Sequence, residues 1–182
     1  MIHPHGYWLE ISESNKHCCD RGLCDAIIKM FKVRTVADLG CGDGAYTFAF
    51  IQAGIDCKGY DGNPLTQELT SGICDVIDLT EHIKIDSYDL VLSLEVGEHI
   101  PQEYEQIFID NICNASKRWV CLSWGIPGQP GYGHVNCQTN QYIILEMQKR
   151  GFKYDKVKSN ILRKNSSFEW FKNTMMVYEL GK

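Results

Sequence analysis

Apolar residues recur along the chain at two alternating spacings, which predict strands and helices in turn. Short apolar runs predict seven strands, at 35–39, 55–60, 74–77, 88–94, 118–124, 152–158 and 174–180. Apolar residues at helical spacing predict helices at 20–31, 45–53, 101–115 and 138–150. Strands that alternate with helices form a mostly parallel sheet covered on both faces, so the pattern predicts a three-layer α/β fold.

The end of the chain departs from this alternation. The segment between the last two predicted strands is predicted to be a loop, without the long crossover that a parallel pair needs. These two strands are therefore predicted to pair antiparallel at one end of the sheet. The chain as a whole, 1–182, is predicted to be a single domain, with an N-terminal cap and helix over 1–32 and the sheet core over 33–182.

Length, composition and charge restrict the class of protein. The chain has 182 residues, of which 44% are hydrophobic and 23% charged, and these values are ordinary for one globular domain. No apolar run approaches the roughly 20 residues of a membrane helix, and no secretory signal precedes the first helix. A cytoplasmic protein is predicted. The net charge of −5 disfavours nucleic-acid binding, which depends on neutralising phosphates.

The nine cysteines predict free thiols and no zinc site. An odd number argues against a complete disulfide framework. No Cys-x-x-Cys pair is present, although such pairs are typical of structural zinc sites. The sequence therefore predicts reduced, mostly buried cysteines.

The most specific signal is the glycine-rich segment Gly40-Cys41-Gly42-Asp43-Gly44, which directly follows the first predicted strand. Glycine permits the backbone angles of a tight turn and lets a ligand approach the backbone at a helix N-terminus. The spacing Gly40-x-Gly42-x-x-Ala45 also satisfies the dinucleotide-binding pattern. The glycines alone therefore indicate a nucleotide-like ligand without identifying it.

Carboxylates follow the next two predicted strands. Asp61 lies 21 residues after Gly40, where a carboxylate accepts hydrogen bonds from ribose hydroxyls. The alternative is a turn residue ahead of Gly62. Asp78 follows the third predicted strand and is a candidate contact for an adenine amino group. Its alternative role is that of a helix cap or turn residue.

Three features argue against a nicotinamide dinucleotide. Asp38 precedes the glycines, where a carboxylate attracts an ammonium group and repels a pyrophosphate. A helical segment precedes the first strand, whereas many dinucleotide folds begin at that strand. The Tyr-x-x-x-Lys spacings, Tyr154 with Lys158 and Tyr178 with Lys182, lie in a predicted strand and at the C-terminus, so neither pair shares a helix face.

These motifs together resemble those of the class I S-adenosylmethionine-dependent methyltransferases. The resemblance rests on 38–44, Asp61, Asp78 and the strand 89–95, and it covers roughly 20–180. The segment 96–101, Val-Gly-Glu-His-Ile-Pro, is similar to one found in the branch that methylates diverse small molecules. The resemblance implies a Rossmann-like fold, a seven-stranded sheet with an antiparallel last strand.

The resemblance also implies a set of cofactor contacts. Residues 38–44 would bind the methionine part of S-adenosylmethionine, Asp61 the ribose and Asp78 the adenine, and the product would be S-adenosylhomocysteine. The full set of implied cofactor residues is Asp38, Gly40, Cys41, Gly42, Gly44, Asp61, Gly62, Asn63, Asp78, Leu79, Glu95 and Val96.

The acceptor must lie at the carboxyl end of the sheet, beside the methyl group. Methyl transfer mainly requires positioning, but a hydroxyl acceptor also needs a base or a metal to remove its proton. His134, Glu98 and His99 are predicted catalytic residues. Alternatively, His134 anchors its loop, and Glu98 and His99 cap the helix that begins near 101. His5, His99 and His134 with Glu98 could in principle bind a metal, but no pair has the close helical spacing of a metalloprotease site, so no metal is predicted.

Aromatic residues predict the acceptor class. Trp8, Trp124 and Tyr132 are candidate substrate-binding residues that would form a platform for a sugar ring or another flat molecule, although Trp8 could simply pack. We expect O-methylation of a small hydroxylated acceptor, with N-methylation left open. The alternatives are a catalytically silent partner-binding module, which the intact glycines disfavour, a nicotinamide oxidoreductase, and a methyltransferase of protein or nucleic acid. The oligomeric state is not predicted.

Overall fold

The apolar runs along the chain form the strands of one sheet, and the segments between them form the helices that cover it. The computed structural model describes residues 1–9 and 18–181. Its strands are β1 (Thr35–Leu39), β2 (Asp56–Asp61), β3 (Asp75–Val76), β4 (Tyr88–Leu94), β5 (Ser116–Ser123), β6 (Phe152–Tyr154) and β7 (Met176–Leu180). Its helices are α1 (Arg21–Met30), α2 (Ala45–Gln52), α3 (Thr66–Leu69), α4 (Glu105–Asn114), α5 (Asn140–Lys149), α6 (Lys156–Asn165) and α7 (Glu169–Thr174), with a 3₁₀ turn at Gln102–Tyr104.

The seven strands lie in the order β3-β2-β1-β4-β5-β7-β6. Strands β1 to β5 pair in parallel, whereas β7 is antiparallel to both β5 and β6. The predicted α/β fold with an antiparallel end is confirmed. The strand order reverses between β1 and β4, and the crevice at the carboxyl ends of these two strands is where open α/β sheets bind ligands.

The predicted strand 152–158 is wrong beyond Tyr154. Asp155 ends β6 and begins α6, because its side chain accepts a hydrogen bond from the Lys158 backbone N–H at 2.9 Å. The alternation of aromatic, lysine and valine residues over 152–158 resembles a strand, but the N-cap determines the structure. The connection to β7 therefore contains α6 and α7 instead of the predicted loop.

Two apolar clusters cover the two faces of the sheet. In β4, Val91 faces one cluster, with Phe108 and Tyr178, whereas Leu92 faces the other, with Ile27. Neighbouring strand residues point to opposite faces, so a buried parallel strand is apolar at successive positions. Both faces are occupied by helices, which leaves the strand ends for a ligand. No helix among the described residues is long and apolar enough to cross a membrane.

The cysteines contribute mainly to this packing. The cysteines of the described residues form no disulfide bond with one another. Five of them are buried, namely Cys24, Cys41, Cys57, Cys74 and Cys121. Burial raises the pKa of the Cys121 thiol, which keeps it neutral within the apolar core.

A buried carboxylate connects α1 to the segment between α6 and α7. Asp20 accepts hydrogen bonds from the Leu23 backbone N–H at the start of α1, and from the Ser166 hydroxyl at 2.6 Å. The backbone N–H groups of Ser167 and Phe168 also donate to it. These bonds hold the beginning of α7 against the N-terminal half of the chain, and they place α7 at the edge of the crevice.

Candidate functional site

A large cavity opens at the carboxyl ends of β1 and β4. Its volume is about 820 Å³, and it is lined by the glycine-rich turn after β1, the end of β4, the loop 126–134 and α7. A smaller cavity of about 70 Å³ lies beside Asp61 and the N-terminal segment. The two cavities are adjacent and share part of their walls. The shared residues are Trp8, Gly40, Glu95 and His99.

The glycine-rich turn has a shape that side chains would prevent. Gly40, Gly42 and Gly44 all have positive φ, with values of 83°, 57° and 78°. A Cβ atom on Gly40 would also lie only 2.3 Å from a methyl carbon of Val96. Gly44 is the N-cap of α2, and the backbone N–H groups of Gly40, Cys41 and Gly44 donate to backbone carbonyls of Tyr60 and Cys41.

Asp61 holds this turn from the neighbouring strand. One of its carboxylate oxygens accepts a hydrogen bond from the Gly42 N–H at 2.9 Å, and the other accepts one from the Asn63 N–H at 2.9 Å. Asp61 and its neighbours Gly62 and Asn63 line the smaller cavity. The residue predicted to bind a ribose therefore also fixes the conformation of the glycine-rich turn.

Asp38 is a buried carboxylate in the wall of the large cavity. Only 3% of its surface is exposed, and the Thr47 hydroxyl donates a hydrogen bond to it at 2.8 Å. Burial, reinforced by the charge of Asp61 and opposed by the Thr47 bond, raises the pKa of Asp38 to about 7. A cation in the cavity would compensate this buried charge.

The N-terminal segment covers the smaller cavity. Residues 1–9 fold back on themselves, with an isolated β-bridge between Ile2 and Trp8. The Tyr7 ring packs directly on Gly62, where an added Cβ atom would lie only 2.3 Å from a ring carbon. Nδ1 of His5 lies 2.5 Å from the Asp78 carboxylate. Asp78 also accepts hydrogen bonds from the backbone N–H and the hydroxyl of Thr80, so the partners of its carboxylate are protein groups. The next residue, Leu79, lines the smaller cavity.

The three predicted catalytic residues lie close together: His99 and His134 line the large cavity, and Glu98 is buried beside them. Glu98 is 0% exposed, and neither of its carboxylate oxygens has a hydrogen-bond partner among the described residues. Nε2 of His134 lies 3.9 Å from Oε1 of Glu98. The rings of His99 and His134 meet edge to face with centroids 5.0 Å apart, and both line the cavity.

Backbone contacts hold this cluster in place. The Glu98 carbonyl accepts hydrogen bonds from the Val135 and Asn136 N–H groups at 2.8 and 2.9 Å. Nδ1 of His99 lies 3.1 Å from the Gly133 carbonyl oxygen. The end of the loop, which carries His134, is therefore hydrogen-bonded to the segment after β4. This finding is compatible with both roles predicted for His134.

Glu95 connects the cluster to α7. It has a φ of 54°, and a non-glycine residue in this strained conformation is an indicator of a functional site. Its carboxylate accepts a hydrogen bond from the Gln129 side chain and lies 3.1 Å from the Thr174 hydroxyl. Burial first, and then the negative charge of Glu95, raises the pKa of Glu98. Sequence reasoning did not identify Gln129 or Thr174.

Two of the three predicted aromatic platform residues lie at the large cavity. Trp8 and Tyr132 both line it, with ring centroids 5.5 Å apart, and Tyr132 is 68% exposed. The prediction for Trp124 is wrong. Its side chain is 0% exposed and packs against Gly97, where an added Cβ atom would lie 2.3 Å from the indole ring. The indole N–H donates a hydrogen bond to the Asn136 carbonyl at 2.7 Å. Trp124 therefore belongs to the core, and no acceptor can reach it.

Helix α7 contributes a part of the cavity wall that the sequence did not indicate. Trp170, Phe171 and Asn173 line the large cavity opposite the glycine-rich turn. They lie far along the chain from every motif, and no short-range pattern marks them. The contacts of Asp20 with the start of α7 bring these residues to the site.

Comparisons with known proteins agree on the fold. No protein-family model and no curated protein matches the chain. An S-adenosylmethionine-dependent methyltransferase from Clostridium acetobutylicum superposes with a TM-score of 0.71 at 10% identity, over 91% of this chain and 93% of that chain. A sugar N-methyltransferase from Streptoalloteichus superposes with a TM-score of 0.69 at 9% identity, over 88% and 85%.

A third structure was solved with a ligand. Magnesium protoporphyrin IX methyltransferase from Synechocystis, with bound S-adenosylhomocysteine, superposes with a TM-score of 0.63 at 18% identity, over 87% of this chain and 82% of that chain. These solved structures have the class I Rossmann-like methyltransferase fold. The chain has this fold, as its sequence motifs predicted.

Proposed function

We propose that the chain is an S-adenosylmethionine-dependent methyltransferase that acts on a small hydroxylated acceptor, such as a sugar. One observation carries the proposal. Two adjacent cavities meet at Trp8, Gly40, Glu95 and His99; Asp61 lines the smaller one, and His134, with Glu98 buried beside it, lines the larger one. A nucleoside end and a reactive end thus lie side by side at the point where an α/β sheet binds its ligands.

The cofactor residues would act through charge and hydrogen bonding. The Asp38 carboxylate would face the ammonium of the methionine moiety, and the carboxylate of Asp61 would accept hydrogen bonds from the ribose hydroxyls. The adenine would approach Leu79 and Val96. Because the smaller cavity has only about 70 Å³, residues 1–9 must move outward for an adenosine to enter. Structural neighbours solved with S-adenosylhomocysteine support this placement.

The acceptor would occupy the larger cavity, between Trp8 and Tyr132. Its hydroxyl oxygen attacks the methyl carbon, the carbon–sulfur bond breaks, and the electron pair goes to sulfur, which yields S-adenosylhomocysteine. The hydroxyl proton passes to His134, whose imidazole lies beside the Glu98 carboxyl group. An amine acceptor attacks in its neutral form, whereas a hydroxyl must lose its proton during the reaction, so the His134–Glu98 pair favours a hydroxyl.

Calorimetric titration tests the proposed cofactor. S-adenosylmethionine and S-adenosylhomocysteine should bind with micromolar affinity or better, and NADH should not bind, because Asp38 repels a pyrophosphate. Screening of sugars and small phenols in the presence of S-adenosylmethionine should then identify the acceptor by formation of S-adenosylhomocysteine. A folded protein that binds neither sulfur nucleoside would contradict the proposal, and binding of NADH alone would indicate an oxidoreductase.

The pH dependence of binding tests the role of Asp38. Below its pKa of about 7 the carboxyl group is protonated and cannot pair with the cofactor ammonium. The affinity for S-adenosylhomocysteine should therefore rise by up to about tenfold per pH unit from about pH 5.5 and level off above about pH 7. At more alkaline pH the affinity should fall again, because the cofactor amino group loses its own proton.

Asp38→Asn provides the matched comparison. The amide has the same shape but no charge at any pH. The affinity of the variant for S-adenosylhomocysteine should therefore be lower at neutral pH, and it should not change over the pH range in which the wild-type affinity rises. The measurement is calorimetry at a series of pH values in one buffer system of constant ionic strength. A rising limb of the same slope in the variant would show that another group controls the ammonium site.

A further inference from the structure

Glu98 has an unusual environment for a carboxylate. It is 0% exposed, and no described residue donates a hydrogen bond to either oxygen. A buried carboxylate without a partner is costly in free energy. Such groups in folded proteins are normally paired or coordinate a metal ion. The environment of Glu98 therefore points to a cation that contacts it.

The side chains nearest to Glu98 are ligands of the matching kind. One ligand atom from each of Glu98, His99 and His134 can be chosen so that all three lie within 4.8 Å of one another. Zinc binds imidazole nitrogen and carboxylate oxygen at about 2.0–2.2 Å, which places neighbouring ligand atoms about 3.4 Å apart. Each ligand atom would move inward by less than about 1 Å, which small side-chain rotations allow.

The hydrogen bonding of His99 favours the required tautomer. Its Nδ1 lies 3.1 Å from the Gly133 carbonyl oxygen, which can only accept a proton. Nδ1 must therefore carry the hydrogen, and Nε2 carries the lone pair in the neutral ring. Metal-binding histidines typically use one ring nitrogen for the ion and donate the other N–H to a carbonyl or carboxylate.

The framework around the cluster is already rigid. The Glu98 carbonyl accepts bonds from the two residues that follow His134, namely Val135 and Asn136. Gly131 lies against the His134 ring, because a Cβ atom there would be 2.0 Å from Nε2. The two segments that carry the ligands are thus held together before any ion binds, so little ordering entropy would be lost on binding.

We propose that Glu98, His99 and His134 bind one divalent transition-metal ion in the wall of the large cavity. Two imidazoles with one carboxylate suit zinc or cobalt better than magnesium or manganese, which prefer oxygen ligands. Both histidines line the cavity, so the coordination positions not used by the protein face the place of the acceptor. This proposal replaces the sequence expectation of no metal, which considered only ligands at helical spacing.

The ion would also change the chemistry of the proposed reaction. This consequence rests on the proposed function, whereas metal binding itself does not. An acceptor hydroxyl coordinated to the ion loses its proton at a lower pH, so the ion would supply the activation otherwise assigned to His134. The acceptor would then be a molecule whose hydroxyl group can coordinate a metal ion. The hydroxylated ring suggested under the proposed function meets this requirement.

Titration of the metal-stripped protein with Co²⁺ tests the site directly. Co²⁺ has visible absorption bands that depend on its ligands, and calorimetry with Zn²⁺, Mn²⁺ and Mg²⁺ gives the selectivity. We expect one equivalent of Co²⁺ or Zn²⁺ to bind, with Mg²⁺ weaker. Loss of a residue that hydrogen-bonds to a metal ligand typically weakens metal binding by roughly 10–100-fold. Glu98→Gln and His134→Asn remove a proposed ligand itself, so each should weaken Co²⁺ binding by at least that factor. His82→Asn, at an exposed histidine, should bind Co²⁺ normally.

Each outcome has a definite meaning. No Co²⁺ or Zn²⁺ binding by a folded wild-type protein overturns the proposal, as does binding that survives in both variants. His134→Asn keeps the test decisive if Glu98→Gln does not fold. Titration of the same samples with S-adenosylhomocysteine separates the two proposals. Metal binding without nucleoside binding would retain the metal site and reject the methyltransferase, and the reverse would retain only the methyltransferase.

Discussion

Replacing Asp61 with alanine should weaken the binding of S-adenosylhomocysteine by at least about 100-fold, or about 2.7 kcal/mol. Two losses combine. The ribose hydroxyls lose a charged acceptor, and hydrogen bonds to charged groups are worth about 1.5–3 kcal/mol each. The Gly42 N–H also loses its partner at 2.9 Å, so the glycine-rich turn is no longer held in its binding conformation. Calorimetry at neutral pH measures the change.

Two variants make this result specific. Asp61→Asn keeps an oxygen that can accept from the Gly42 N–H, so its affinity should lie between those of wild type and Asp61→Ala. Asp75→Ala is the matched control, since Asp75 lies on the neighbouring strand β3 in an exposed ion pair with Lys58. Its affinity should be unchanged. Equal affinities of Asp61→Ala and wild type would show that the ribose does not bind at the end of β2.

Trp124→Ala should lower the free energy of unfolding by about 3–5 kcal/mol, the range found when buried tryptophan or phenylalanine is cut to alanine. The side chain is 0% exposed and packs edge to face on Phe108, with centroids 5.7 Å apart. Its removal would leave a cavity and an unpaired Asn136 carbonyl beside the segment that carries His134. Urea unfolding followed by circular dichroism measures the loss.

Trp170→Ala is the comparison for this prediction. Trp170 is 42% exposed, so less surface is returned to water and little cavity forms. Its loss of stability should be under about 1 kcal/mol, as for other surface substitutions. A similar small loss for Trp124→Ala would contradict the burial of that side chain and would restore the prediction that Trp124 forms part of an exposed platform.

Local sequence was sufficient for the framework of the molecule. Apolar runs predicted the strands, and the order of strands and helices predicted the parallel sheet, because these patterns record which faces are buried. The glycines at 40, 42 and 44 predicted the turn, since their positive φ values disfavour other residues. The strand predicted at 152–158 failed, because one N-cap residue outweighed a weak alternation of side chains.

The reactive end of the site depended on longer-range contacts. His99 and His134 are 35 residues apart, and no spacing rule relates them until the loop folds back on the segment after β4. The burial of Trp124, the cover formed by residues 1–9 and the wall contributed by α7 are likewise results of tertiary packing. By itself, the sequence determined the fold and the glycine-rich turn, because both depend on patterns among residues that are close along the chain. Only the tertiary structure decided which distant side chains meet at the acceptor end, because that depends on how separate elements pack.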